Sequence, residues 1–186
     1  MTSDNNGYTP PVHADAVNFA SGLSKREAYA QLLDETAALV DGQRNWVCNL
    51  SNTASLLWHL HHSLPAPSSS VNWAGFYVLD PSSSRQSLIL GPFQGKVACQ
   101  TIAWGRGVCG AAAATKSTQL VPDVEAFPGH IACDGETRSE IVVPVLQGGE
   151  VKAVIDIDCT ETNGFDQEDK VALEKLAVLL AESCDF

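Results

Sequence analysis

The sequence predicts an α+β domain: a mostly antiparallel sheet of about six strands, with helices from both chain ends packed on one face. Three observations predict it. Segments with helical periodicity occupy both ends of the chain. Period-two runs fill the middle. Gly148-Gly149 joins the clearest pair of those runs, and two glycines suit the turn of a two-residue hairpin.

Residues 1–22 carry Gly, Pro, Asn and Ser without periodicity and read as an extended arm; residues 23–186 read as one domain. In SKREAYAQLLDETAALVDG, Ser24 caps a helix, Glu27 completes a capping box and Gly42 ends it. Tyr29, Leu32, Leu33, Thr36 and Val40 give that helix an apolar side. A second helix runs through NWVCNLSNTASLLWHLHHSL to Pro65. SVNWAGFYVLD, the turn PSSSR and SLILGPFQG form a hairpin. KVACQTIAWGRG is part strand and part loop, GVCGAAAATK a short helix, STQLVPDV a strand and AFPGHIACDGETR an irregular loop. SEIVVPVLQGGEVKAVIDIDC is the second hairpin. Asp166 caps a last helix with Leu173, Leu176, Ala177 and Leu180 on one stripe.

Apolar residues make up 45% of the chain and charged residues 18%, the balance of a folded soluble domain. No apolar run approaches a membrane span, and the N-terminus lacks the basic-then-apolar pattern of a secretory signal, so a cytoplasmic location is expected. A net charge of −11 argues against nucleic acid and anionic membranes as partners. In a reducing compartment, Cys48, Cys99, Cys109, Cys133, Cys159 and Cys184 read as core residues, metal ligands or redox groups rather than a disulfide scaffold.

Several motifs compete for a function. GRGVCG (Gly105–Gly110) has dinucleotide-loop spacing, with Asp123 downstream, but the chain shows hairpins rather than repeated crossovers; the glycines read as tight turns. His130 and Cys133 are spaced H-x-x-C. There is no C-x-x-C pair, and His59, His61 and His62 have no partner pair, so neither a metal site nor a cofactor is expected. Cys99, Cys109 and Cys133 lie outside the regular apolar runs, whereas Cys48, Cys159 and Cys184 read as buried core. An accessible loop thiol can act as a nucleophile, and a second thiol can resolve its sulfenic acid. Asp156 and Asp158 alternate on one strand, and Glu140 begins its partner, so three acids converge on one sheet face. Such a face suits either solvent or a bound cation. Trp73 and Tyr77 share a face opposite to Phe76; they suit core packing or an apolar wall for a thioether-like side chain.

The segments NWAGFY, LGPFQGKVAC, GRGVCG, HIACDGETRSEIVVPV and VIDID, in that order from about Ala28 onward, resemble the GAF-domain free methionine-R-sulfoxide reductases. The resemblance implies a GAF-type fold, free methionine-R-sulfoxide as substrate and thioredoxin as reductant. It implies that Cys133 attacks, Cys99 resolves through a Cys133–Cys99 disulfide, and Cys109 has a lesser role. It also matches Glu140, Asp156 and Asp158 to substrate-binding acids and Trp73 and Tyr77 to an aromatic wall. Acids can hold the ammonium of a free amino acid, and one acid with a raised pKa can protonate the sulfoxide oxygen. Asp158, expected deepest on its strand, is the predicted donor. Acids near a thiol also disfavour its thiolate. The substrate ammonium, a protonated acid, Arg138 or His130 could offset that, and the sequence leaves the choice open, as it does a homodimer. The competing function is a non-catalytic GAF module that senses a small molecule.

Overall fold

Side-chain caps fix where the three long helices begin. In the computed structural model, which describes residues 18–83, 86–129 and 134–186, α1 spans Lys25–Val40. Ser24 Oγ accepts from the Glu27 amide, and the Glu27 carboxylate accepts from the Ser24 amide. Asn45 caps α2 (Trp46–Ser63), and Asp166 caps α4 (Gln167–Ser183) with Asp169 as its capping-box partner. Each such cap contributes about 1 kcal/mol. The starts of α1 and α4 are tied together: Lys25 Nζ lies 2.7 Å from Asp169, and Tyr29 Oη donates to the same buried carboxylate at 2.9 Å. Most of the predicted N-terminal arm, Ser84 and Arg85 of the predicted turn, and His130 to Cys133 lie outside the described residues.

Six strands form one antiparallel sheet: β1 (Val71–Leu79), β2 (Ser87–Gly95), β3 (Thr101–Ala103), β4 (Gln119–Val121), β5 (Ser139–Gln147) and β6 (Glu150–Cys159). Their order is β3-β2-β1-β6-β5-β4. The short helix α3 (Gly107–Thr115) joins β3 to β4. Gly148 and Gly149 both adopt positive φ, as the predicted tight turn between β5 and β6 requires.

Alternation along the strands divides the apolar residues into two cores. Ala74, Phe76, Ile141, Val143, Ile155 and Ile157 pack with residues of α1, α2 and α4. Trp73, Tyr77, Val142 and Val154 point the other way and pack with Val108, Cys109, Ala112 and Ala113 of α3. Terminal helices on one face were therefore legible, but the opposite face is covered by α3 rather than solvated. Val71 and Trp73 face opposite sides although two residues apart, because the β1–β6 register shifts between them.

Cys48 corrects one expectation. It is exposed, because it lies about 200° around α2 from the buried Leu50. Cys159 and Cys184 are buried as expected. His61 is a core residue, edge-on to Tyr29 and Phe165, and burial lowers its pKa to about 3.

Candidate active site

The strand ladder places the acids. Asp158 on β6 sits opposite Trp73 on β1 and Glu140 on β5, while Asp156 sits opposite Gly75 and Val142. All three acids line a cavity of about 300 Å³ on the α3 side of the sheet. Gly75 is required beside them: a Cβ there would stand 2.3 Å from that of Phe93. That close approach lets Phe93 stack on Trp73, with ring centroids 5.2 Å apart, and Trp73 in turn stacks on Tyr77. The predicted aromatic wall and acid trio thus occupy one pocket.

The same aromatics hold the segment bearing Cys99. Trp73 Nε1 donates to the Lys96 carbonyl at 3.2 Å, and Tyr77 Oη donates to the Cys99 carbonyl at 3.0 Å. Lys96 pairs with Glu136 and lies 3.5 Å from Asp134. Asn72 Nδ2 donates to Asp134 at 3.2 Å and to Thr137 Oγ1 at 3.3 Å. These contacts join the loop before β5 to β1 and to the Cys99 segment over the pocket. Cys99 is disulfide-bonded, whereas Cys48, Cys109, Cys159 and Cys184 are free thiols. The predicted nucleophile Cys133 lies outside the described residues; Asp134, next in sequence, lines the pocket.

Burial dominates the electrostatics. Glu140 and Asp156 are 7% and 6% exposed, and Asp158 is more open, so Asp156 rather than Asp158 is the deeper aspartate. Residue 158 lies next to the end of β6, and its depth is something that alternation alone does not give. Desolvation, followed by the Asp156 and Asp158 charges, pushes the Glu140 carboxyl well above its ordinary range. Desolvation and then Asp156 do the same to Asp158. Desolvation raises Asp156 to about 6. Like charges this close in a buried pocket resist ionising together, which favours protonation of the trio, and a bound cation would favour their ionised forms.

Cys109 reaches the trio from α3. It was expected outside the regular apolar runs, yet it is buried, with its thiol directed at Glu140 Oε1 at 4.0 Å. Burial and then the nearby Asp156 and Glu140 push this thiol well up. Its motif works as turn geometry. Gly105 and Gly107 adopt positive φ, and a Cβ at Gly110 would meet the Ala103 carbonyl at 2.5 Å. Asp123 caps a turn by accepting from the Glu125 amide at 3.0 Å.

Sequence reasoning missed the pocket's cations and tethers. Lys96 and Arg106 line it, whereas Arg138 is paired with Glu125. Lys96 lies in GKVAC and Arg106 in GRGVCG, so both were within quoted motifs. Asn72 and Thr137 matter through contacts between distant segments, which no spacing encodes.

Comparison with known proteins places the fold in a family. The GAF domain family matches residues 55–183. A free methionine-R-sulfoxide reductase of Saccharomyces cerevisiae is 59% identical over 94% of this chain and 95% of its own length. One from Escherichia coli is 41% identical over 85% of this chain and 89% of its own. The free methionine-R-sulfoxide reductase of Neisseria meningitidis, solved in complex with its substrate, superposes with a TM-score of 0.79 at 38% identity, covering 90% of this chain and 94% of that one. The chain belongs to the GAF-domain family of free methionine-R-sulfoxide reductases.

Proposed function

We propose that this enzyme reduces free methionine-R-sulfoxide in the acid-lined pocket, with Cys133 as nucleophile, Cys99 as resolving thiol and thioredoxin as the restoring dithiol. The observation that carries the reading is the convergence of Glu140, Asp156 and Asp158 beside the Trp73–Tyr77 wall. A free amino acid brings an ammonium that can bind ionised carboxylates through charge-assisted hydrogen bonds. An N-blocked or peptide-bound sulfoxide would bring no cation to those groups. The aromatic wall suits the S-methyl end.

In the chemical step, the Cys133 thiolate attacks the sulfoxide sulfur while Asp158 gives a proton to its oxygen. The new sulfur–sulfur bond and the S–O bond both break as the protonated oxygen passes to Cys133, which leaves Cys133 as a sulfenic acid and releases methionine with its sulfur reduced by two electrons. Cys99 then attacks the sulfenic sulfur, water leaves and a Cys133–Cys99 disulfide forms. Cys99 is disulfide-bonded in the structure, as a resolving thiol is at the end of such a turnover. The raised pKa of Cys109 keeps its thiol protonated and supports a lesser role for it. Thioredoxin reduces the disulfide by thiol exchange, in a cycle that belongs to the cytoplasm.

Single-turnover assays with free L-methionine-R-sulfoxide test the reading. Cys133→Ser should release no methionine. Cys99→Ser should release about one equivalent and then stall with thioredoxin. A normal burst from Cys133→Ser, or inactivity of the parent enzyme on this substrate, would overturn it.

A further inference from the structure

Ammonium binding explains the carboxylates of the pocket but has no use for the sulfur among them. The Cys109 Sγ and one carboxylate oxygen each of Glu140 and Asp156 all lie within 4.8 Å of one another, and all three residues are buried. Asp156 Oδ1 is buried and has no hydrogen-bond partner among the described residues. The three come from α3, β5 and β6, so separate elements of the folded core pre-position them. No close spacing in the sequence marks the set, because its members come from three separate elements.

We propose that Cys109, Glu140 and Asp156 form a three-ligand site for a thiophilic divalent cation of the zinc class, with the fourth position open to the cavity. One thiolate and two carboxylates match the borderline softness of zinc and its tolerance of three protein ligands plus water. Magnesium and calcium fit poorly, because both favour all-oxygen shells with more ligands. The site binds its cation against protons: Cys109 must lose its proton and the carboxylates must be ionised, so affinity rises with pH and binding releases protons. Burial, which makes these groups hold protons, also makes them costly to leave ionised without a cation. The metal would occupy two carboxylates that the proposed function gives to the substrate ammonium. That consequence rests on the functional reading; the binding site does not.

The test uses the full-length oxidised protein, in which Cys99 is already bonded and cannot compete. Zinc ion alone is titrated by calorimetry, and cadmium ion by its ultraviolet thiolate-to-metal charge-transfer band. One equivalent per chain is expected, with proton uptake by the buffer. Cys109→Ser should lose the cadmium band and at least tenfold in zinc affinity, and Glu140→Gln at least tenfold in affinity. Cys48→Ser, which alters the exposed thiol, should bind as the parent does. Absence of saturable binding, a cadmium band that survives Cys109→Ser, or its loss in Cys48→Ser would overturn the proposal. X-ray absorption of the zinc-loaded parent gives a readout free of substitution: one sulfur at about 2.3 Å with oxygen neighbours supports the site. A shell without sulfur, or with two or more, refutes it. Failure of these measurements leaves sulfoxide reduction untouched, and a zinc-binding protein without reductase activity would separate the two claims.

Discussion

Tyr77 donates its phenolic hydrogen bond to the backbone carbonyl of Cys99 at 3.0 Å. One side chain therefore serves as pocket wall and as anchor for the segment that carries the proposed resolving thiol. Trp73 holds the same segment through the Lys96 carbonyl. Tyr77→Phe keeps the ring and removes the tether, at a cost of about 1 kcal/mol. The expected result is a normal methionine burst followed by disulfide formation about fivefold slower, measured by thiol loss in quenched single turnovers. Unchanged thiol loss would show that the tether does not position Cys99.

The acids should divide by role. Asp156→Asn and Glu140→Gln should raise KM by about 10- to 100-fold, the worth of a hydrogen bond to a charged group, with a smaller fall in kcat. Asp158→Asn should lower kcat by about 100-fold or more, the usual loss for a general acid. The greater depth of Asp156 leaves Asp158 as the proposed donor, because the Asp158 carboxyl is also pushed well up and the residue is less buried than Asp156. Normal chemistry with weak binding in Asp158→Asn would exchange the roles.

Stability should fall as pH rises through the titration of Asp156. Its carboxyl titrates at about 6 in the folded protein against an ordinary 3.8, so the native state holds the proton more tightly than the unfolded state. The folded state is favoured while this group is protonated, and that advantage is lost between about pH 4 and pH 6. Asp156→Asn should raise Tm at pH 7, by about 2–4 °C for each kcal/mol recovered, and should flatten the slope across that window. Parallel curves of Tm against pH for the variant and its parent would contradict the assignment.

Gly75→Ala tests the packing that shapes the pocket. The added methyl would lie 2.3 Å from Phe93 Cβ and 2.8 Å from the Pro92 carbonyl, where backbone must move. Overpacking of this kind costs about 1–3 kcal/mol or more. Denaturant unfolding should register that loss, together with a higher KM as Phe93 and Trp73 shift. A variant as stable as its parent would show that β2 can move away freely.

Much of this was legible in the sequence, because local rules govern it. Ser24 with Glu27 marked a helix start, and Gly148-Gly149 marked a hairpin. Parity separated Trp73 and Tyr77 from Phe76 and put Asp156 with Asp158. Depth and long-range contact were not legible. Alternation says which face Asp158 takes but not how far it lies from the mouth. Cys48 read as core because apolar residues surround it in sequence, although helix geometry turns it outward. Cys109 read as lying outside the apolar runs because glycines stand beside it, although α3 packs it against Glu140. The links from Asn72 to Asp134 and from Lys96 to Glu136 join segments far apart in the chain, and nothing in either segment announces the other.

A pocket that binds the substrate ammonium should make this enzyme selective for the free amino acid. The direct measurement is kcat/KM for free L-methionine-R-sulfoxide against its N-acetyl derivative, with thioredoxin as reductant, and with the S epimer as the stereochemical control. Losing the ammonium removes the charged partner offered to the buried carboxylates, so the free R substrate should be preferred by at least 100-fold, and the S epimer should be turned over far more slowly. Comparable kcat/KM for the free and acetylated R-sulfoxides would contradict the account.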